Sequence, residues 1–282
     1  MKKVISSSAT NVFYALRSVK FWLAVALELL MMFILADVDI VHDQTQKIYY
    51  VLHMTFDKMP GEFTAAMSAL PAVTLFADEW CSGRFIYSYT RLKGAGYAVT
   101  LIVSVFLIAA LVSLISTGLY IGILSMSHPL TDDITSTSLL QVARSYANGG
   151  LLRHGHFFAY YLLTVLRQAC YMGIFSTMAA VFSIWISNSY VAIVFPVFLY
   201  VVIPSIFWSL FKLPRVIIPS EVYQLGTYLS KEFDPDLKLS ENNFSVISML
   251  YPFIYTLIIL AALAVLSFFL VRRKYRSGSD LR

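Results

Sequence analysis

Two charged side chains interrupt otherwise apolar stretches of this chain, Glu28 and Arg167. A charge at the centre of a bilayer costs a few kcal/mol or more unless it is paired or hydrated. Counted along helices rising about 1.5 Å per residue, Glu28 lies about 12 Å from one membrane face and Arg167 about 15 Å from the other. The two are therefore expected to meet near mid-membrane as an interhelical ion pair, either as a structural tie or on the wall of a cavity.

Other constellations lead to less chemistry. His154-Gly155-His156 offers two imidazoles, but no cysteine or carboxylate stands at metal-site spacing, so the pair reads as solvated and no metal is expected. A proton relay would need more titratable groups inside the apolar segments than Glu28 alone. Cys81 and Cys170 fall in different segments, one in a polar loop and one in an apolar run, which disfavours a mutual disulfide. Asn243-Phe244-Ser245 matches a glycosylation acceptor, a pattern common by chance. No Ser, His and Asp set has a catalytic signature, and no G-x-x-x-x-G-K-[ST] loop occurs, so neither enzyme chemistry nor nucleotide binding by this chain is expected.

The richest polar stretch is Asp78-Glu79-Trp80-Cys81-Ser82-Gly83-Arg84-Phe85, continuing through Tyr87, Tyr89, Thr90, Arg91, Lys93 and Tyr97. Acids, a glycine and then alternating aromatic and basic residues describe a short amphipathic helix after a turn.

The elements that must position these residues follow from composition. Of 282 residues 59% are hydrophobic and 13% charged, roughly half the charged share of a soluble domain, about 25%. Such a chain is expected to be one all-α transmembrane domain over residues 1–282. The net charge of +5 comes from basic residues at the ends of apolar segments, where they anchor helices and face anionic headgroups, so no nucleic-acid partner is expected. A signal peptide over residues 1–36 is disfavoured by the long polar lead, by Glu28 and by the absence of an A-x-A site.

A bilayer core needs about 20 mostly apolar helical residues, and the chain supplies six candidate spans. Residues 1–20, with Val12, Phe13, Leu16 and Val19 at helical spacing beside Lys2, Lys3, Arg17 and Lys20, form an amphipathic interfacial helix. Spans follow at about 21–36, 63–77, 97–126, 157–186, 190–211 and 244–271. The second is short and contains Pro71, and an extra surface helix is expected over 48–56. The uncharged run from Gln168 to Phe211 is too long for one helix and is divided at Ser187-Asn188-Ser189. Residues 127–156, with Asn148-Gly149-Gly150, form a loop with room for a short helix. Lys and Arg concentrate in the two tails and in the loop between spans two and three, while acids concentrate in the other loops, which predicts cytoplasmic termini.

The order of features around Asp78 to Tyr97 resembles the ABC-2 type permease family of ABC transporters. An acid ends the second span, Gly83 follows four or five residues later, and an amphipathic aromatic and basic stretch leads into the third span. The resemblance extends along the whole chain and departs from the family in the long loop between spans three and four. It implies a six-helix, type V exporter-like permease whose cytosolic coupling helix, with Asp78, Glu79, Gly83, Arg84 and Arg91, docks on a separate ATPase subunit. It further implies two ATPase copies that carry ATP and Mg, a homodimer or a pairing with a second permease, and a bacterial cell membrane. In such permeases the second and fifth helices line a central cavity, which would enlist Pro71, Phe195 and Phe198. An amphiphilic cargo follows by analogy, a peptide, antibiotic or lipid-like molecule. Two rival readings stand beside it: an ATP-independent secondary carrier, and a non-transporting immunity or assembly protein.

Overall fold

The computed structural model describes residues 2–36, 46–58, 61–133, 136, 139, 149–186, 194–195, 198 and 246–279. Most of the expected fifth span over 190–211, the connection 212–243, the Asn243-Phe244-Ser245 tripeptide and the Cys81 side chain lie outside the described residues.

Every regular element among the described residues is an α-helix: α1 (Lys2–Arg17), α2 (Val19–Leu35), α3 (Ile48–Lys58), α4 (Gly61–Cys81), α5 (Phe85–Leu124), α6 (Gly149–Arg153), α7 (Phe157–Ile186) and α8 (Val246–Ser279). Three of them, α5, α7 and α8, are long and apolar enough to cross a bilayer, and α1 with α2 makes a fourth if that bent pair is one span. The chain is thus a membrane-embedded helical protein with three to four candidate spans among its described residues.

The break between α1 and α2 is built by Ser18. Its hydroxyl accepts from the Phe21 amide at 3.2 Å and donates to the Ala15 carbonyl at 2.7 Å, which caps the new helix as the old one ends. The Trp22 indole reaches back to the Leu16 carbonyl at 2.9 Å, and the two axes meet at 66°. The amphipathic helix expected over residues 1–20 is present as α1. It packs on α5, where the Asn11 amide donates to the Ser104 hydroxyl at 3.3 Å.

The helix expected over 63–77 runs instead for 21 residues, from Gly61 to Cys81, with Pro71 inside it. At about 1.5 Å per residue that is a bilayer's thickness, yet α4 lacks the hydropathy of the other spans. Its Ala65, Ala69 and Ala72 are buried, and it packs against α7, α5 and α2. Small residues let backbones approach closely, so a helix enclosed by neighbours does not need a lipid-facing surface of large apolar side chains.

Helix α5 is central, touching α7, α4, α1, α8 and α2. It begins twelve residues before the expected third span, because the charged stretch from Phe85 is itself helical and joins the span through a break at Lys93. The expected helix over 48–56 is found as α3, and its Ile48, Tyr49, Val51 and Leu52 are buried with Met32, Tyr120, Leu124, Leu152 and Phe157. Gly149 and Gly150, expected in a turn, open the short helix α6 instead. Helix α7 has the expected bounds.

Candidate functional site

The ends of α4, α5, α7 and α8 converge on Trp80. Its indole is 3% exposed and stacks on Phe85 at 4.1 Å between ring centroids, with Tyr97 edge-on at 5.8 Å. The Lys274 ammonium of α8 sits 4.9 Å from the centre of the Trp80 ring and donates to the Ile184 carbonyl of α7 at 3.0 Å. One lysine therefore ties the end of α8 to the last turns of both α4 and α7, using the attraction of a cation for an aromatic face.

Between α4 and the start of α5 the chain turns in a three-residue elbow, Ser82, Gly83 and Arg84. Gly83 adopts φ 72°, the left-handed region where a side chain is disfavoured. Its amide donates to the Trp80 carbonyl and its own carbonyl accepts from Ile86, both at 3.3 Å. Glu79 closes the elbow, accepting hydrogen bonds from Ser88 and from Tyr97 at 3.1 Å. An acid at the end of one helix thus holds both the short helical segment after the turn and the span that follows.

That short segment ends at Lys93, whose φ of 60° and ψ of 156° separate it from the rest of α5. This region of backbone space is almost restricted to glycine and costs on the order of 1–3 kcal/mol for other residues. The break is held by neighbours: Tyr89 stacks on Tyr275 of α8 at 4.2 Å and crowds Gly94, where an added Cβ would lie 2.7 Å from the phenol oxygen.

The segment presents two faces. Phe85 is buried, and Ile86, Tyr89 and Leu92 pack against the core beneath it. Arg84, Tyr87, Thr90 and Arg91 point outward, with Tyr87 74% exposed. An arginine and tyrosine face on a short helix, braced from behind by aromatic packing, is suited to contact with a second protein.

Of the residues singled out from sequence, Gly83 and Arg84 lie in the elbow, Asp78 and Glu79 in the last turn of α4 before it, and Arg91 in the short helical segment after it. Asp78 forms an ion pair with Lys20 at 3.9 Å on the exposed surface, a contact of little energetic weight. Ser88 and Tyr97 as partners of Glu79, and Lys274 as the tie to Trp80, were not apparent from sequence, because each depends on a meeting of helix ends.

No protein-family model, curated protein or solved structure matches the chain.

The structure does not bring Glu28 and Arg167 together. Glu28 is fully buried and faces Ser113 and Ser116 of α5, with neither carboxylate oxygen in close hydrogen-bond geometry. Arg167 is buried on α7, whereas α2 packs chiefly against α5 and α4. Estimates of depth place residues along the membrane normal but not around it, and it is the rotation and order of the helices that separate these two.

Pro71 is buried within α4. Phe195 stacks face to face on Phe182 at 3.5 Å and lines a cavity of about 770 Å³ between α7 and α8, with Arg273 and Lys274 at its edge. Phe198 follows at 5.8 Å from Phe195 and is half exposed. His154 and His156 are exposed, and no group of three or more His, Cys, Asp or Glu gathers among the described residues.

At the far end of the helices a second polar cluster surrounds Asp132. Its carboxylate accepts from the Tyr49 hydroxyl at 2.6 Å, the Ser136 hydroxyl at 2.7 Å and the Asp133 amide at 2.8 Å, and lies 3.9 Å from Lys47. Burial alone would raise its pKa, but these donors and the lysine outweigh it and hold the carboxyl below the usual carboxylate range. The cluster clasps the loop after α5 to the start of α3, helped by the Ile48 amide on the Pro129 carbonyl at 3.3 Å.

Proposed function

We propose that this chain is the permease subunit of an ATP-driven exporter of the ABC-2 type. The observation that supports the reading is the elbow: a short amphipathic helix with Arg84, Tyr87 and Arg91 outward, fastened to α4 through Glu79 and Trp80 and set off from its span by Lys93. Such a device turns the displacement of a docked partner into movement of α4 and α5, since stacked rings and hydrogen bonds leave little slack. On this reading the elbow faces the cytosol of a bacterial cell, with both chain termini on the same side.

ATP and Mg would reside on two copies of a separate ATPase subunit, and this chain would pair with itself or with a second permease. The cargo is an amphiphile, a peptide, antibiotic or lipid-like molecule, in keeping with the aromatic cavity beside Phe182 and Phe195 and its cationic edge at Arg273 and Lys274. The experiment is co-expression of the tagged chain with an ATPase subunit encoded beside it, followed by purification in mild detergent. The wild type retains the ATPase and its activity, whereas Arg84→Glu combined with Arg91→Glu releases it without loss of the folded permease. A folded permease that never retains an ATPase would sink the reading. The rival of an ATP-independent carrier draws on one observation only, the isolated Glu28 inside the helical bundle.

A further inference from the structure

Four basic residues crowd the end of α8: Arg272, Arg273, Lys274 and Arg276. Lys274 is engaged by the Trp80 ring and the Ile184 carbonyl. Arg272 and Arg273 are exposed, and neither has a carboxylate partner among the described residues. With Arg276 they follow Phe269 at intervals of three and four, which sets them on one helix face. That face forms a notch of about 320 Å³ lined by Phe269 and the three arginines. Like charges so placed on a helix repel one another unless an anion sits among them.

Arg273 also lines the apolar cavity of about 770 Å³ between α7 and α8, so the cationic notch and the apolar cavity adjoin through one side chain. The cavity begins at Trp185, 72% exposed in the last turn of α7 and level with Lys274 through the bond to Ile184. A tryptophan level with basic residues at the end of apolar helices marks the interface of membrane and water. From Lys274 the cavity extends along α8 to Leu263, roughly 16 Å at the rise of an α-helix. That is about half of a bilayer core about 30 Å thick, the depth of one leaflet. Its rim is open, with Leu266 half exposed, and only 22% of the most apolar stretch of α8 is buried in the protein.

We propose that the groove between α7 and α8 holds one anionic phospholipid of the leaflet beside Trp185. Its phosphate lies among Arg272, Arg273 and Arg276, and an acyl chain runs along Phe182, Leu266 and Leu270. Guanidinium groups match phosphate oxygens with paired donors, and basic pockets between helices at a membrane surface suit acidic headgroups. A free phosphate would leave the apolar cavity unfilled, and a zwitterionic lipid would bring its own cation beside three arginines. The lipid shares the cavity with the proposed cargo, yet its binding needs no ATPase and therefore stands or falls apart from the exporter reading.

The test is thermal unfolding of the full purified chain in nonionic detergent, with added phosphatidylglycerol or phosphatidylcholine of the same acyl chains. Because a ligand bound only by the folded state raises its stability with concentration, the midpoint should rise and saturate with phosphatidylglycerol and move little with phosphatidylcholine. Arg272→Gln combined with Arg273→Gln should raise the half-saturating phosphatidylglycerol by about tenfold or more. Leu266→Trp, which fills the groove, should weaken binding with the charges intact. Glycerophosphate should give no shift, and a shift as large as the lipid's would assign the notch to free phosphate and overturn the proposal. Should the arginine variant fail to fold, brominated lipids read the groove directly. Brominated phosphatidylglycerol should quench tryptophan fluorescence at lower concentration than brominated phosphatidylcholine, and Trp185→Phe should lose most of that difference. Equal wild-type responses to the two lipids would overturn the proposal, as would a phosphatidylglycerol preference that survives loss of both arginines or quenching unchanged in Trp185→Phe.

Discussion

Glu79 and Glu28 are both acids on apolar helices, and they meet opposite surroundings. Glu79 lies in the last turn of α4, where the chain folds back at once and delivers Ser88 and Tyr97 as donors. Glu28 lies mid-helix, where no return of the chain is at hand and the facing helix offers the hydroxyls of Ser113 and Ser116. A carboxylate at a helix end is made structural by local sequence. One in mid-helix depends on whatever a neighbour presents.

The widest gap between the two regions should appear on removing the ring that Glu79's elbow is built around. Trp80→Ala deletes a buried aromatic, the Phe85 stack and the seat of Lys274 together. The expected loss is about 3–5 kcal/mol, typical of a large aromatic truncated in a core. It would be read as a lowered unfolding midpoint and poor recovery of folded protein from detergent. Trp80→Phe keeps the stack and should recover much of the loss. A Trp80→Ala protein as stable as the parent would mean that the helix ends are held by something other than this ring.

Smaller in size but sharper in meaning is the pair Glu79→Ala and Glu28→Gln. Glu79→Ala strips the partner from the Tyr97 hydroxyl, a buried residue, and should cost about 1–3 kcal/mol. Glu28→Gln exchanges a costly buried acid for a neutral amide that the Ser113 and Ser116 hydroxyls can still meet, so the midpoint should stay or rise. If Glu28→Gln were the more damaging of the two, the contrast between an acid held by its own chain reversal and one faced by a neighbouring helix would collapse.

Much of the framework was legible in the sequence because apolar periodicity and run length are local. The bounds of α7, the amphipathic α1 and the short helix α3 follow from spacing alone. So did the elbow, since acid, glycine and aromatic-basic residues are neighbours along the chain. What did not show were the quantities set by helix order and rotation. The Glu28 and Arg167 pair required two helices to face each other that do not, and Lys274 gave no sign of reaching Trp80 across 194 positions. The hydropathy of α4 misled for a related reason: a helix enclosed by others can be rich in Ala, Ser and Thr without lipid setting its composition.

Substituting Lys93→Gly removes the misfit of a lysine at φ 60° but adds freedom to the unfolded chain, so a net gain of about 1 kcal/mol is expected. The neighbouring Gly94→Ala should act in the opposite direction, because its Cβ would collide with Tyr89. Both changes are read as unfolding midpoints. If both were neutral, the break between the short helix and its span would be loosely held and unfit to transmit movement.

The smallest effect concerns the far end of the helices, where Asp132 provides an acid partnered even more fully than Glu79. Its folded-state pKa is held below the unfolded one, so it contributes stability at pH values above the ordinary carboxylate range and loses that contribution as pH falls through its lowered value. Neutral and mildly acidic buffers should leave the clasp between Asp132, Tyr49 and Lys47 closed, and only strong acid should open it. Amide hydrogen exchange over α3 and residues 127–133 reports this directly. Asp132→Asn should raise exchange there at neutral pH, where the wild type is protected, and should remove the acid dependence. The elbow should be unchanged by it, because Asp132 clasps the opposite ends of the helices from those that meet at Trp80. Exchange rising at both ends at once would show that the two polar clusters communicate through α5, and the separation of roles drawn between them would fail.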